Sequence, residues 1–154
     1  MYDIKHLIPN KNSKYTQGYY DKFGPKKYFG PRPIIYRSSL ELIFMRKLEF
    51  NSNVERWSSE HIVIPYTMFE KKNGKIIQTR HSYNTDFTVI LKDGRKFVIE
   101  VKPTTMCPLN EAQIKRSPGL YKTSCKWKAA IAWCKQNGYI FKIITEDHLK
   151  TKVF

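Results

Sequence analysis

Two short apolar runs, Asp86-Phe87-Thr88-Val89-Ile90-Leu91 and Lys96-Phe97-Val98-Ile99-Glu100-Val101-Lys102, flank the tripeptide Lys92-Asp93-Gly94. Together they predict a β-hairpin, and no other stretch of the chain restricts its fold as tightly. A three-residue loop that ends in Gly is the type I turn with a G1 bulge. It pairs Leu91 with Arg95, Val89 with Phe97, Phe87 with Ile99 and Asp86 with Glu100. A two-residue loop, Asp93-Gly94, would set Phe87 against Glu100 instead. The apolar pattern prefers the longer loop, because Phe87, Val89, Leu91, Phe97, Ile99 and Val101 then share one face. Asp86, Glu100 and Lys102 share the other.

Two carboxylates directly opposite each other have Cβ atoms about 5 Å apart, and like charges there are destabilising. A cation or a proton relieves such a pair. Hard oxygen ligands suit Mg²⁺, which takes one or two carboxylates and completes its shell with water and phosphate. Lys102, two residues on from Glu100, can polarise a water or offset charge on a phosphate. The hairpin alone therefore points to metal-assisted phosphodiester hydrolysis. It is equally compatible with a solvent-exposed polar face on which a lysine neutralises two acids.

The chain carries 28 Lys and Arg against 13 Asp and Glu, a formal net charge of +15 over 154 residues. An imbalance of that size implies a polyanionic partner, most often nucleic acid. At 41% hydrophobic residues the chain can bury a core, and one domain is the simplest division. No segment reaches the ~20 apolar residues of a membrane span, and the N-terminus lacks the apolar stretch of a signal peptide. Cys107, Cys125 and Cys134 show no C-x-x-C spacing, and His6, His61, His81 and His148 are scattered. Neither a disulfide framework nor a zinc site is indicated.

Residues 1–33 hold six Lys, one Arg, five Tyr, and the Pro and Gly that break periodic structure. They read as an extended basic arm, suited to tracking a DNA backbone, to folding onto a partner, or to wrapping its own domain through its tyrosines. The boundary is placed at residue 35, with the domain over residues 36–154. Ser38-Ser39-Leu40-Glu41 has the form of a capping box, and Leu40, Ile43, Phe44 and Leu48 continue at helical spacing up to Asn51. A strand is expected over His61–Tyr66, and Lys72-Asn73-Gly74-Lys75 is a hairpin turn leading to Ile76-Ile77. Residues 103–119 read as a loop. A second helix is expected over Tyr121–Asn137, with Trp127, Ala130, Ile131 and Cys134 as its apolar stripe and Gly138 as its stop. Tyr139–Thr145 is the last strand. Helix, about three strands, helix, strand is an α/β order that implies a mixed sheet flanked by helices.

An Asp on one central strand and Glu-x-Lys on the next, after a Glu-bearing helix, resembles the PD-(D/E)XK nuclease superfamily. The matching residues are Asp86, Glu100-Val101-Lys102 and Glu41; Thr85 stands where the name has Pro. Tyr36-Arg37-Ser38-Ser39-Leu40-Glu41-Leu42-Ile43-Phe44-Met45, Val54–Glu60, Ile64-Pro65-Tyr66 and Ile99–Pro103 resemble the head completion nucleases of contractile-tailed phages. The resemblance implies a restriction-endonuclease-like αβββαβ core and Mg²⁺-dependent cleavage of double-stranded DNA, with Mn²⁺ as a substitute. Asp86, Glu100 and the Val101 carbonyl are the metal ligands it implies, with Glu41 and Lys102 catalytic beside them. Lys126 and Lys128 lie near where it puts bound DNA. It further implies a place in the virion, at the head or neck, reached from the host cytoplasm during assembly. There the protein would meet portal, neck or head proteins, and one role would be trimming packaged DNA. Two other roles use the same features: a structural DNA-binding neck protein with an idle site, and a nuclease that cuts transposon ends or DNA junctions. Trp57 and Trp133 read as packing anchors, and Glu60 as a possible support to the metal site.

Overall fold

The computed structural model of the chain describes residues 8–154, so the first seven residues of the basic arm lie outside the described part. The elements run β1 (Gly18–Tyr19), β2 (Ile35–Tyr36), α1 (Ser39–Phe50), β3 (Val54–Ser59), β4 (Val63–Lys72) and β5 (Lys75–Asn84). They continue as β6 (Phe87–Leu91), β7 (Lys96–Val101), α2 (Glu111–Arg116), α3 (Pro118–Asn137) and β8 (Ile140–Ile144). Four strands form the main sheet in the order β3-β6-β7-β8. The first three are antiparallel in turn, and β8 joins β7 in parallel by way of α3. This is the mixed α/β, restriction-endonuclease-like core expected from the element order.

The β6–β7 hairpin takes the register that its apolar pattern requires. Phe87 pairs with Ile99 and Val89 with Phe97. The Leu91 amide donates to the Arg95 carbonyl at 2.9 Å, and Gly94 sits at φ 90°. That left-handed value is the reason glycine ends the loop. Phe87, Val89, Leu91, Phe97, Ile99 and Val101 are all buried on one face, against Phe44, Met45 and Leu48 of α1. The opposite face is not open to solvent. Ser58, Thr88, Val98 and Glu100 are buried, and Phe141, paired with Val98, packs with Ala130 of α3 and with Ile64, Tyr66 and Tyr83 of β4 and β5. The hairpin's polar residues therefore face a covered layer. A solvated surface, the alternative left open by the hairpin sequence, is not what they form.

Several sequence expectations are corrected. Val54–Ser59 forms an edge strand of the main sheet. Its pattern gives no alternation, because Trp57, Ser58 and Ser59 are buried in succession. The strand expected over His61–Tyr66 begins at Val63 and belongs to a separate two-stranded ribbon of ten-residue strands, β4 and β5. Its Asn73-Gly74 turn has φ 50° and 75°, the doubly positive geometry that makes Asn-Gly a hairpin signal. The stretch 103–119 is not all loop, since Asn110 caps α2 and Ser117 caps α3, with Pro118 in the first turn of α3. Ile131 does not join the α3 stripe; it is exposed, while Ala130 and Cys134 are buried.

The basic segment ahead of Tyr36 packs onto the body over much of its described length. Tyr20, Ile34 and Ile35 are buried, Tyr20 and Ile34 in the same core as α1 and the sheet. Trp57 meets Tyr20 and Tyr28 edge-on, at ring-centre distances of 5.6 and 4.8 Å. Backbone bonds from Phe29 to Trp57 and from Trp57 to Lys27 add this segment to the free edge of β3. Glu49 fastens it further, accepting from the Lys26 amide at 2.6 Å and from Trp57 Nε1 at 2.9 Å. Gly30 is needed for the close approach, because a Cβ there would lie 2.5 Å from the Ser58 Cβ.

Candidate active site

The mouth of the site lies where β6 begins and β7 ends. Asp86 stands one residue before β6, and its Oδ2 accepts the Val101 amide at 2.8 Å. Its own carbonyl accepts from the Glu60 amide at 3.1 Å. The side chain is thus fixed against the opposite strand at the place the register assigns it. Glu100 is 5% exposed and accepts a hydrogen bond from the Tyr83 hydroxyl through Oε2. Lys102 Nζ lies 3.4 Å from Glu100 Oε1.

The first helix brings Glu41 to the same mouth. Ser38 caps α1 by accepting the Glu41 amide at 3.2 Å. Glu41 does not return the bond to the cap residue's amide as in a reciprocal capping box. Its Oε2 accepts from the Arg37 amide instead, at 2.7 Å. Arg37 in turn bridges to Glu60, Nε to Oε1 at 2.6 Å. Glu60 has φ 49°, a left-handed conformation that is uncommon for a side chain of this kind and costs on the order of 1 kcal/mol. Its pairing with Arg37 and its amide bond to Asp86 hold it there.

Four of the chain's 13 acidic residues, Glu41, Glu60, Asp86 and Glu100, act on one another in this one region of a strongly basic protein. Burial, then the charges of Glu100 and Glu41, pushes the Asp86 carboxyl well above its ordinary range. Burial first, and the Glu60 and Glu100 charges after it, raise Glu41 to about 7. Burial also raises the Tyr83 phenol, with the charges of Glu100 and Asp86 adding to it, so that it stays a donor. Arg37, Lys102 and Lys126 are the neighbouring cations that act on these acids. Burial is the larger cause of both raised carboxyls, and the neighbouring acids add to it against the pull of these cations.

Lys126 and Lys128 separate on α3. Lys126 is half-buried over the Tyr83 ring, 5.4 Å from its centre, and burial lowers its ammonium below the ordinary lysine range. Lys128 lines a different groove, between α2 and α3, with Glu111, Lys115 and Tyr121. Two positions along a helix turn through about 200°, so the two lysines cannot serve one surface. Trp57 and Trp133 are packing residues, in the two separate cores. Tyr83 and Arg37 are the members of the mouth that sequence reasoning missed. Alternation along β5 could have marked Tyr83 as buried, but nothing in the sequence ties it to the mouth. Arg37 gives no signal apart from its place before the cap.

Among the described residues, no three His, Cys, Asp or Glu side chains form a ready-made metal cage. Two carboxylates and a backbone carbonyl are nevertheless hard oxygen donors, and Asp86 and Glu100 act on each other across the mouth. In donor chemistry the residues fit a divalent cation of the Mg²⁺ kind. A cavity of about 410 Å³ opens beside them, lined by Ser38, Glu41, Val101 and Lys102 among others.

The family model for the TnsA-like endonuclease N-terminal domain matches residues 51–146. The chain is also 34% identical over 151 residues to the head completion nuclease of Enterobacteria phage T4, an alignment that covers 88% of this chain and 97% of that one. The family-model match spans the four-stranded sheet, α3 and both Asp86 and Glu100, and begins at the residue after α1. This chain therefore belongs to the phage head completion nuclease family, within the TnsA-like endonucleases of restriction-endonuclease-like fold.

Proposed function

We propose that the protein is a divalent-metal-dependent deoxyribonuclease that acts during completion of the phage head, with the mouth around Asp86 and Glu100 as its catalytic centre. The observation that carries this reading is the gathering of Asp86, Glu100, Lys102 and Glu41 at one end of the sheet. Asp86, Glu100 and the Val101 carbonyl would hold Mg²⁺, or Mn²⁺ in its place. When bound, such an ion supplies Lewis acidity and charge neutralisation at the phosphate.

The chain's own residues supply the rest. Lys102 places a positive charge next to Glu100, where it orients the attacking water and offsets charge that builds on the phosphate oxygens. Tyr83 and the Val101 amide fix the two carboxylates, so no reorganisation is needed as the reaction proceeds. Glu41 completes the acidic wall and is itself anchored to Arg37. Water attacks phosphorus and the bridging oxygen leaves with one DNA strand. The substrate is double-stranded DNA, drawn by the +15 charge. Trimming DNA left at the portal is the task this chemistry would serve, at the head or neck of the virion and alongside portal, neck or head proteins.

The test is incubation of supercoiled plasmid with the full chain in Mg²⁺, in Mn²⁺ and in excess EDTA. Nicking or linearisation with either ion and none in EDTA is the expected result. Undiminished cleavage in EDTA would remove the metal from the account, and no cleavage under any condition would remove the enzyme.

A further inference from the structure

The cavity beside the mouth has lining that the nuclease core does not supply. Glu41, Val101 and Lys102 line it, and so do Tyr15 and Gln17 of the N-terminal segment. Tyr15 ties the segment to the core there, its Oη 3.6 Å from Met106 Sδ. Within the segment, Gln17 Oε1 accepts from the Asn10 amide at 2.8 Å. Lys14 Nζ lies 5.0 Å from the centre of the Tyr15 ring. A partly exposed aromatic ring therefore lines a cavity that also contains the lysine of the cleavage centre, and the Lys14 ammonium lies over that ring.

A ring with a cation over one face can hold a nucleotide without regard to sequence: the base stacks on the other face and the phosphate meets the charge. A cavity of about 410 Å³ gives such a group room next to the reacting phosphate. We propose that this cavity is the subsite for the nucleotide adjoining the scissile phosphate, with Tyr15 stacking on its base and Lys14 meeting its outer phosphate. The inference rests on the nuclease reading of the mouth. It makes residues 14–17 part of the substrate site, in a segment that the rest of the fold treats as packing.

The experiment reads binding, so that it does not depend on cleavage. A fluorophore-labelled duplex and the matching single strand are titrated, at fixed salt, against the full chain carrying Asp86→Asn. Tyr15→Ala in that background is expected to weaken binding about tenfold. Tyr15→Phe keeps the ring and loses the hydroxyl that touches Met106, and is expected to restore affinity to within about twofold of Tyr15. A 2-aminopurine walked through the duplex should be quenched at one position by the Tyr and Phe proteins and not by the Ala protein. Unchanged affinity in Tyr15→Ala overturns the proposal. So does a Phe protein as weak as the Ala protein, which would make Tyr15 a tether through its hydroxyl. A wild-type chain that binds DNA and cuts none would sink the nuclease reading, and with it the place beside a scissile phosphate, while the Ala-against-Phe comparison would still decide whether Tyr15 stacks on a base.

Discussion

Glu41 shows how one side chain can serve a helix and a reaction site at once. Its amide takes the Ser38 cap, and its carboxylate turns away to the Arg37 amide and the acidic mouth. Burial and the neighbouring acids raise it to about 7, against an ordinary 4.5. An acid raised on folding binds more protons folded than unfolded, so it favours the fold at low pH and costs stability as pH rises. The metal-free protein should therefore lose about 1–3 kcal/mol between pH 4.5 and pH 7 through this residue. Asp86, also raised, acts with the same sign. Glu41→Gln keeps an acceptor for the Arg37 amide and removes the charge. Its stability should vary less with pH over that window and exceed wild type at pH 8, as read by denaturant titration without metal. Equal pH dependence in the two proteins would show that Glu41 is not buried beside other acids in solution. If the mouth is catalytic, the same variant should lose at least about tenfold in turnover, or ~1.4 kcal/mol of barrier.

At the scale of elements, the N-terminal segment is held by few but well-placed bonds. Glu49, on the last turn of α1, accepts from two backbone amides and from the indole of fully buried Trp57. Glu49→Ala would leave those donors unpaired and is expected to cost about 2–3 kcal/mol, measured by urea denaturation. A loss under about 0.5 kcal/mol would mean that water takes over the bonds. These bonds also explain which parts of the fold were legible in the sequence. The β6–β7 register, the Ser38 cap, the Asn73-Gly74 turn and the Gly138 stop could all be read, because each is a local constraint on φ or on alternation. The β3 strand and the packing of Tyr20 and Ile34 could not be read. They depend on bonds between Trp57 and residues 27–29, distant in sequence, and on burial of both faces of β3. In the mouth, Asp86, Glu100 and Lys102 were legible through the hairpin, whose two strands are nearly adjacent in sequence. Tyr83 was not, since it comes from the separate β4–β5 ribbon and is joined to the mouth only in three dimensions.

Over the whole molecule, a net charge of +15 surrounds one concentrated group of acids. On the proposed reading, the outer charge would attract a polyanion and the inner group would repel it until a cation is present. DNA affinity of the full chain should therefore fall steeply and linearly in log–log form with salt, depend little on sequence, and improve when divalent metal is added. Anisotropy titrations from about 50 to 200 mM salt, with and without Ca²⁺, would check both parts; a flat salt response would show that the surface charge is not used for DNA. If the mouth holds a divalent cation as proposed, metal should also raise the melting temperature of wild type, because an ion bound only by the folded state stabilises it.

The most direct test of the central claim compares Asp86→Asn with wild type in melting and in plasmid cleavage, on the same preparations in Mg²⁺. The amide oxygen of Asn can still accept from the Val101 amide, and it carries no charge into a crowded acidic site. The account predicts a variant at least as stable as wild type without metal, with no metal-induced rise in melting temperature and turnover reduced about a thousandfold, or ~4 kcal/mol of barrier. A variant that melts normally and still cuts DNA at the wild-type rate would contradict it.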